Sequence, residues 1–147
     1  MGELESWTSD AVARLQAQGY RNGAARRAVV ELLGRQNCCL TAQEIFDELR
    51  GGGRPVGLAS VYRVVDELTD QGLLQRIDLG AGTARYEPLL PTGEHHHHLV
   101  CDDCGKVEAF EDDELELALT NLERRSGYSV AGHEVVLRGA CADCRTA

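Results

Sequence analysis

At 147 residues, with 43% hydrophobic and only 5% aromatic side chains, the chain suits one medium domain or two small ones whose cores are helped by a metal. Its net charge of -9 excludes a uniformly basic nucleic-acid binder, but residues 1–90 carry ten arginines against twelve carboxylates while residues 91–147 carry five basic side chains against twelve. The first part can approach a polyanion through locally placed arginines; the second is repelled by one. No apolar run reaches the roughly 18 residues of a membrane span. The start, Met1 to Glu5, is acidic with no apolar segment after it, so a cytoplasmic location with reduced thiols is expected.

In chain order, Ser9 and Asp10 can cap a first helix running toward Gln18 and closed by Gly19. A second helix fits Ala24 to Arg35 with Ala28, Val29, Leu32 and Leu33 on its buried stripe. Thr41-Ala42-Gln43-Glu44 has the form of a capping box, which starts a third helix running to about Arg50 and burying Ile45, Phe46 and Leu49. A fourth helix from about Ala59 to Gln71 carries Val61, Val64, Val65 and Leu68 inward at i, i+3, i+4 and i+7. Residues 73–77 and 84–86 then flank a glycine-rich turn and read as a β-hairpin.

Helices followed by a hairpin form a winged helix, in which the helix before the wing enters the major groove of double-stranded DNA. Ser60, Tyr62, Arg63, Asp66 and Glu67 point outward on that helix. Tyr62 and Arg63, with Ser60 beside them, suit base or phosphate contact, and Arg21, Arg26 and Arg27 can clamp the DNA backbone. The competing reading is a small helical module that binds proteins and stores zinc without touching DNA.

Residues 89–94, with Pro91 and Gly93, form a hinge between a winged-helix domain at 1–88 and a second domain at 95–147. There an extended stretch from His97 to Phe110 contains a CxxC turn, Asp112 to Arg125 is helical, and Tyr128 to Gly139 is extended again. The fold class is α+β: a winged helix followed by a small α/β domain of about fifty residues, too short to be secure without a metal or a partner subunit.

Cys101 and Cys104 form one CxxC pair, and Cys141 and Cys144 another, with 36 residues between the pairs. Two such turns can close a tetrahedral thiolate site on structural Zn(II). Each pair follows a strand-like run, unlike the strand-to-helix CxxC of a thioredoxin. Directly upstream lies His95-His96-His97-His98. In an extended segment His96 and His98 face one way and His95 and His97 the other, so one run can serve two ions. Enzymatic readings fail on spacing: no proline precedes either CxxC as in zinc deaminases, and His133-Glu134 lacks the second histidine of a metalloprotease.

The run from His95 through Cys101 and Cys104 to Gly105-Lys106, followed by His133 and Cys141-x-x-Cys144, resembles the ferric uptake regulator family, whose members include zinc sensors. Leu58 to Arg63 and Thr41 to Ile45 look like its recognition helix and the helix before it. The resemblance covers about residues 15–145. It implies a homodimeric, metal-activated repressor of a DNA operator, with a winged-helix domain, a C-terminal dimerisation domain, and no small-molecule substrate beyond metal ions.

The resemblance further places Glu87, His96 and His98 in a sensing site completed from the loop before the third helix. It places His95, His97, Glu116 and His133 in an additional site. Iron-sensing members usually carry a histidine in that loop, where this chain has Cys38-Cys39. A Cys39 thiolate there would tilt the site from Fe(II) toward Zn(II), while Cys38 reads as a small buried hydrophobe. Asp70 is the alternative ligand, because some zinc-sensing relatives recruit an aspartate past the recognition helix. Others place a cysteine where Leu90 stands. Peroxide-sensing members favour aspartate at the Glu87 position, which lowers that option.

Overall fold

The computed structural model describes residues 2–21, 23–36, 38–80, 82–90 and 96–145. The chain divides into two compact units, residues 1–94 and 95–147. Most of the expected hinge, and His95, lie outside the described residues.

In the first unit, helix α1 spans Glu3–Ala17 and begins six residues before the expected Ser9 cap. Trp7, Ala11 and Leu15 recur at i, i+4 and i+8 and are buried, and the Trp7 indole N–H donates to the Leu73 carbonyl at 2.8 Å. That tertiary anchor outweighs the local preference of Ser9 and Asp10 for a cap; both lie exposed within the helix. Helix α2, Ala24–Leu33, buries the expected stripe and Val30 as well, and stops at Gly34 rather than Arg35. A Cβ at Gly34 would come within 2.1 Å of the Thr8 hydroxyl, so the glycine permits close approach to α1.

Helix α3, Ala42–Gly51, starts at a complete capping box: Glu44 N–H donates to Thr41 Oγ1 at 3.0 Å, and Thr41 N–H donates to Glu44 Oε2 at 3.1 Å. Ile45 and Leu49 are buried, but Phe46 only packs against the core's edge. Helix α4, Leu58–Asp70, buries Val61, Val64, Val65 and Leu68. It ends at Gly72, whose φ of 70° lets Leu73 N–H return to the Leu68 carbonyl at 2.9 Å. Strands β2, Leu74–Asp78, and β3, Ala84–Pro88, pair antiparallel as the expected wing. A strand that the sequence did not announce, β1 at Leu40–Thr41, joins the other edge of β3 and makes the order β1-β3-β2.

In the second unit, β4, His97–Cys101, is central in the order β5-β4-β6, antiparallel to β5, Val107–Phe110, and parallel to β6, Val136–Gly139. Helix α5, Asp113–Ser126, is capped by Asp112, whose carboxylate accepts from Leu115 N–H at 2.9 Å. Residues 128–135, expected to be extended, form no strand of their own; among the described residues only Val135 reaches the sheet, its carbonyl accepting from the His98 N–H of β4 at 3.1 Å where β6 begins. A four-residue helix α6, Ala142–Arg145, holds the last cysteine. The buried residues among those described here are His97, His98, Val100 and Cys101, and none lies on α5. Leu99, Leu117, Leu122, Tyr128, Val130 and Leu137 are exposed. No described helix of the chain is long and apolar enough to cross a membrane.

Candidate metal centres and DNA-contacting face

Strand β4 delivers Cys101 into a tight turn in which Cys101 N–H donates to the Lys106 carbonyl at 2.9 Å and Gly105 N–H returns to the Cys101 carbonyl at 3.0 Å. The parallel strand β6 ends beside it, where Asp102 N–H donates to the Gly139 carbonyl at 2.8 Å and Arg138 pairs with Asp102. The two CxxC turns, remote in sequence, are thereby brought together. The Cys101 sulfur accepts from the N–H of Cys104 at 3.5 Å and of Cys141 at 3.3 Å.

All four Sγ atoms lie within 4.8 Å of one another, and those of Cys104 and Cys141 are 3.8 Å apart. Four thiolates held 2.3 Å from one zinc ion stand about 3.8 Å apart, so the donor set and spacing fit Zn(II). They do not fit a disulfide, whose sulfurs are about 2 Å apart, and all four are free thiols. The N–H groups of Cys104 and Cys141 draw the Cys101 thiol down to about 6, whereas hydrogen bonds with the Cys141, Cys101 and Cys104 sulfurs push Cys144 up to about 12. Four converging sulfurs ionise together only around a cation, which Zn(II) supplies.

A second donor group joins β4 to α5. His97 Nε2 lies 2.5 Å from one Glu116 oxygen, and His133 Nε2 lies 2.8 Å from the other. His97 Nδ1 accepts from the Val135 N–H at 3.2 Å. A neutral imidazole that accepts at Nδ1 carries its proton on Nε2, so His97 is placed as a donor to Glu116. An ion taken by Nε2 needs the other tautomer and the loss of the Val135 bond. The fourth residue expected here, His95, is outside the described residues.

The residues expected at the sensing site belong to different units. In the second, the rings of His96 and His98 stand edge to face with centroids 5.0 Å apart, while His97 is turned toward α5. In the first, Glu87 is buried on β3 opposite Gln75. Cys39, only 2% exposed, immediately precedes β1. Cys38 is half-buried rather than enclosed, and its sulfur lies 3.6 Å from that of Cys39. The Cys39 thiol is held above the ordinary thiol range by its hydrogen bond with Cys38, by burial, and by the charges of Cys38 and Glu87. Asp70 is exposed at the end of α4, and no cluster of three potential ligands among the described residues includes it.

On the face of α4, Tyr62 is 47% exposed, and Arg63 is exposed with Nη2 donating to Ser60 Oγ at 3.3 Å. Arg21 and Arg27 are also exposed. Arg26 is not available as the expected clamp: its guanidinium forms a two-pronged pair with Glu67 at 2.7 and 2.8 Å, donates to the Arg21 carbonyl at 2.8 Å, and stacks over Tyr20. Glu67, expected to face solvent, is the reason. Arg85, which no sequence motif marks, bridges Glu44 Oε2 at 3.2 Å and the Cys39 carbonyl at 3.4 Å through its Nη1. Its only advance signal was its place two residues from Glu87 on the same strand.

The ferric uptake regulator family model matches residues 17–138. The chain belongs to the ferric uptake regulator family. It is 35% identical to the ferric uptake regulation protein of Klebsiella pneumoniae over 134 residues, which are 89% of this chain and 85% of that one. Its structure is similar to that of the Vibrio cholerae ferric uptake regulator, with a TM-score of 0.75 and 32% identity over 88% of this chain and 98% of that one. It is similar as well to the Helicobacter pylori ferric uptake regulator, whose structure reveals three functional metal binding sites. The TM-score there is 0.82, with 26% identity over 99% of this chain and 97% of that one. Ferric uptake regulators are metal-responsive transcriptional regulators and not enzymes. Their N-terminal DNA-binding domain corresponds to the first unit here and their C-terminal dimerisation domain to the second.

Proposed function

We propose that this chain is a cytoplasmic homodimeric repressor that binds a double-stranded DNA operator when a regulatory ion, Zn(II) in preference to Fe(II), is held by Glu87, His96, His98 and Cys39. The observation that carries the zinc preference is the buried Cys39 thiol immediately before β1, in the loop where iron-sensing members usually have a histidine. A thiolate is a soft ligand and favours Zn(II) over the harder Fe(II). The four cysteines hold a permanent structural zinc. His97, Glu116 and His133, with His95, form the additional and weakest site, because His97 must exchange its tautomer to bind. Three donor sets agree in number with the three functional sites of the Helicobacter pylori protein.

The mechanism rests on ordering. Ligands drawn from both units tie one to the other, so DNA binding no longer bears the cost of fixing their arrangement; the ion acts by differential affinity for one arrangement. Tyr62, Arg63 and Ser60 on α4 then reach base edges, and Arg21 and Arg27 the phosphates. The exposed Leu99–Leu137 pair on adjacent strands and Leu117 and Leu122 on α5 supply the apolar surface that a second copy covers. Fe(II) is the second reading, favoured by the relatives being ferric uptake regulation proteins.

The test is a titration of Zn(II) and of Fe(II) under anaerobic conditions against affinity for a DNA site selected by the metal-loaded protein. Zinc should activate at the lower free concentration. His96→Ala and His98→Ala should abolish activation, and His97→Ala should leave a graded response. Activation by Fe(II) alone would overturn the zinc assignment, and equal losses at all three histidines would overturn the division into two sites.

A further inference from the structure

Successive side chains in an extended segment project to opposite faces, so two neighbouring cysteines on a strand cannot meet. Here the chain bends at Cys38, just before β1, and the two sulfurs converge to 3.6 Å. With sulfur 2.3 Å from a zinc-sized ion, that separation subtends about 103° at the ion, close to the tetrahedral angle. The pair is therefore preshaped to chelate, and it is accessible, because Cys38 is half-buried while Cys39 is enclosed. An anionic neighbour is also in place: the β1–β3 ladder ends at Leu40–Tyr86, one residue from Cys39 on one strand and one from Glu87 on the other.

We propose that Cys38 and Cys39 act together as a vicinal dithiolate that binds a thiophilic divalent cation of the zinc and cadmium class, giving the DNA-binding unit two soft donors to the regulatory ion instead of one. This deepens the regulatory-site reading and rests on it for the role of Cys39, while the pairing with Cys38 rests on the geometry of the first unit alone. Two thiolates select strongly for soft, four-coordinate ions and against Fe(II), which is content with nitrogen and oxygen donors. The bound ion also has a route to the DNA-binding elements. Arg85 links the Cys39 carbonyl to Glu44 of the α3 capping box, and α3 packs on α4.

The experiment uses the full chain with zinc retained at the four-cysteine site and Co(II) added as a spectroscopic probe, because thiolate-to-cobalt charge-transfer absorption grows with the number of sulfurs bound. Cys38→Ser and Cys39→Ser should each remove about half of the added absorption, and the double variant all of it, with zinc affinity falling at least tenfold in each. Zinc content, dimer mass and circular dichroism should stay as in the wild type. Cys38 is the decisive position, because it is half-exposed and its replacement should not disturb folding. Unchanged absorption in Cys38→Ser with a loss in Cys39→Ser would overturn the dithiolate and leave the one-thiolate regulatory site standing. Unchanged absorption in all three variants would overturn both. Loss of the cobalt absorption with metal-activated DNA binding unchanged would count against the regulatory reading alone.

Discussion

Arg26 and Arg63 lie on neighbouring helices of the same unit and both suit a DNA phosphate by charge, yet their surroundings assign them opposite tasks. Arg26 is tied to Glu67 by two short bonds in a pair whose side chains are 20% and 15% exposed, so truncation leaves a poorly solvated carboxylate. Arg26→Ala should therefore lower unfolding free energy by about 1–2 kcal/mol in denaturant titration. Arg63, whose one described bond is a long one to Ser60, should behave the other way. Arg63→Ala should leave stability within about 0.5 kcal/mol, weaken operator binding, and flatten its salt dependence by roughly one phosphate contact. A stable Arg26→Ala protein with the larger loss of DNA affinity would reverse these roles. The sequence did not distinguish them, because a helical pattern shows which face a side chain occupies but not which residue of another helix stands opposite. Glu67 and Arg26 are 41 residues apart, and only folding makes them neighbours.

At the scale of elements, legibility followed the amount of local signal. Helices α2, α3 and α4 each carry an apolar stripe of three or more buried residues, and their expected bounds differ from those observed by one or two residues. The two-residue β1 and four-residue α6 are too short to carry a period and exist through pairing with β3 and through the second CxxC turn. Helix α1 misled in another way, since a good local cap inside the sequence was overridden by the distant partner of Trp7. The capping box of α3 is local and was legible in full. It also does more than start a helix, because Glu44 accepts from Arg85 as well as from Thr41. Thr41→Ala should cost about 1 kcal/mol of stability and, through the loosened start of α3, lower zinc-activated DNA affinity without changing structural zinc content. A neutral Thr41→Ala, by denaturant titration, would mean that the Arg85 bridge alone holds the start of α3.

The molecule as a whole pairs a unit with a continuous apolar core, from Trp7 through Leu68 to Tyr86, with one whose described buried residues are two histidines, a valine and a cysteine. The first can be held by hydrophobic burial. The second cannot, since α5 buries none of its residues and several leucines face outward. Four thiolates closing on zinc can supply on the order of 10 kcal/mol of folding free energy, and in the proposed homodimer burial of the exposed leucines by a second copy would supply the remainder. Replacing Cys101 or Cys144 with Ser should therefore release about one zinc per chain, dissociate the dimer and unfold residues 95–147, while the winged-helix unit keeps its structure. Elemental analysis, analytical ultracentrifugation and hydrogen exchange resolved by segment would read these three effects separately. Exchange should rise to the unprotected rate across β4, β5 and α5 and remain slow in α2 and α4. Cys101 is the more sensitive position, because its sulfur also accepts two backbone N–H groups that fix both CxxC turns. A zinc-free Cys101→Ser protein that stayed dimeric with β4 protected would show that apolar contact between copies holds the second unit and that the metal is an addition to it.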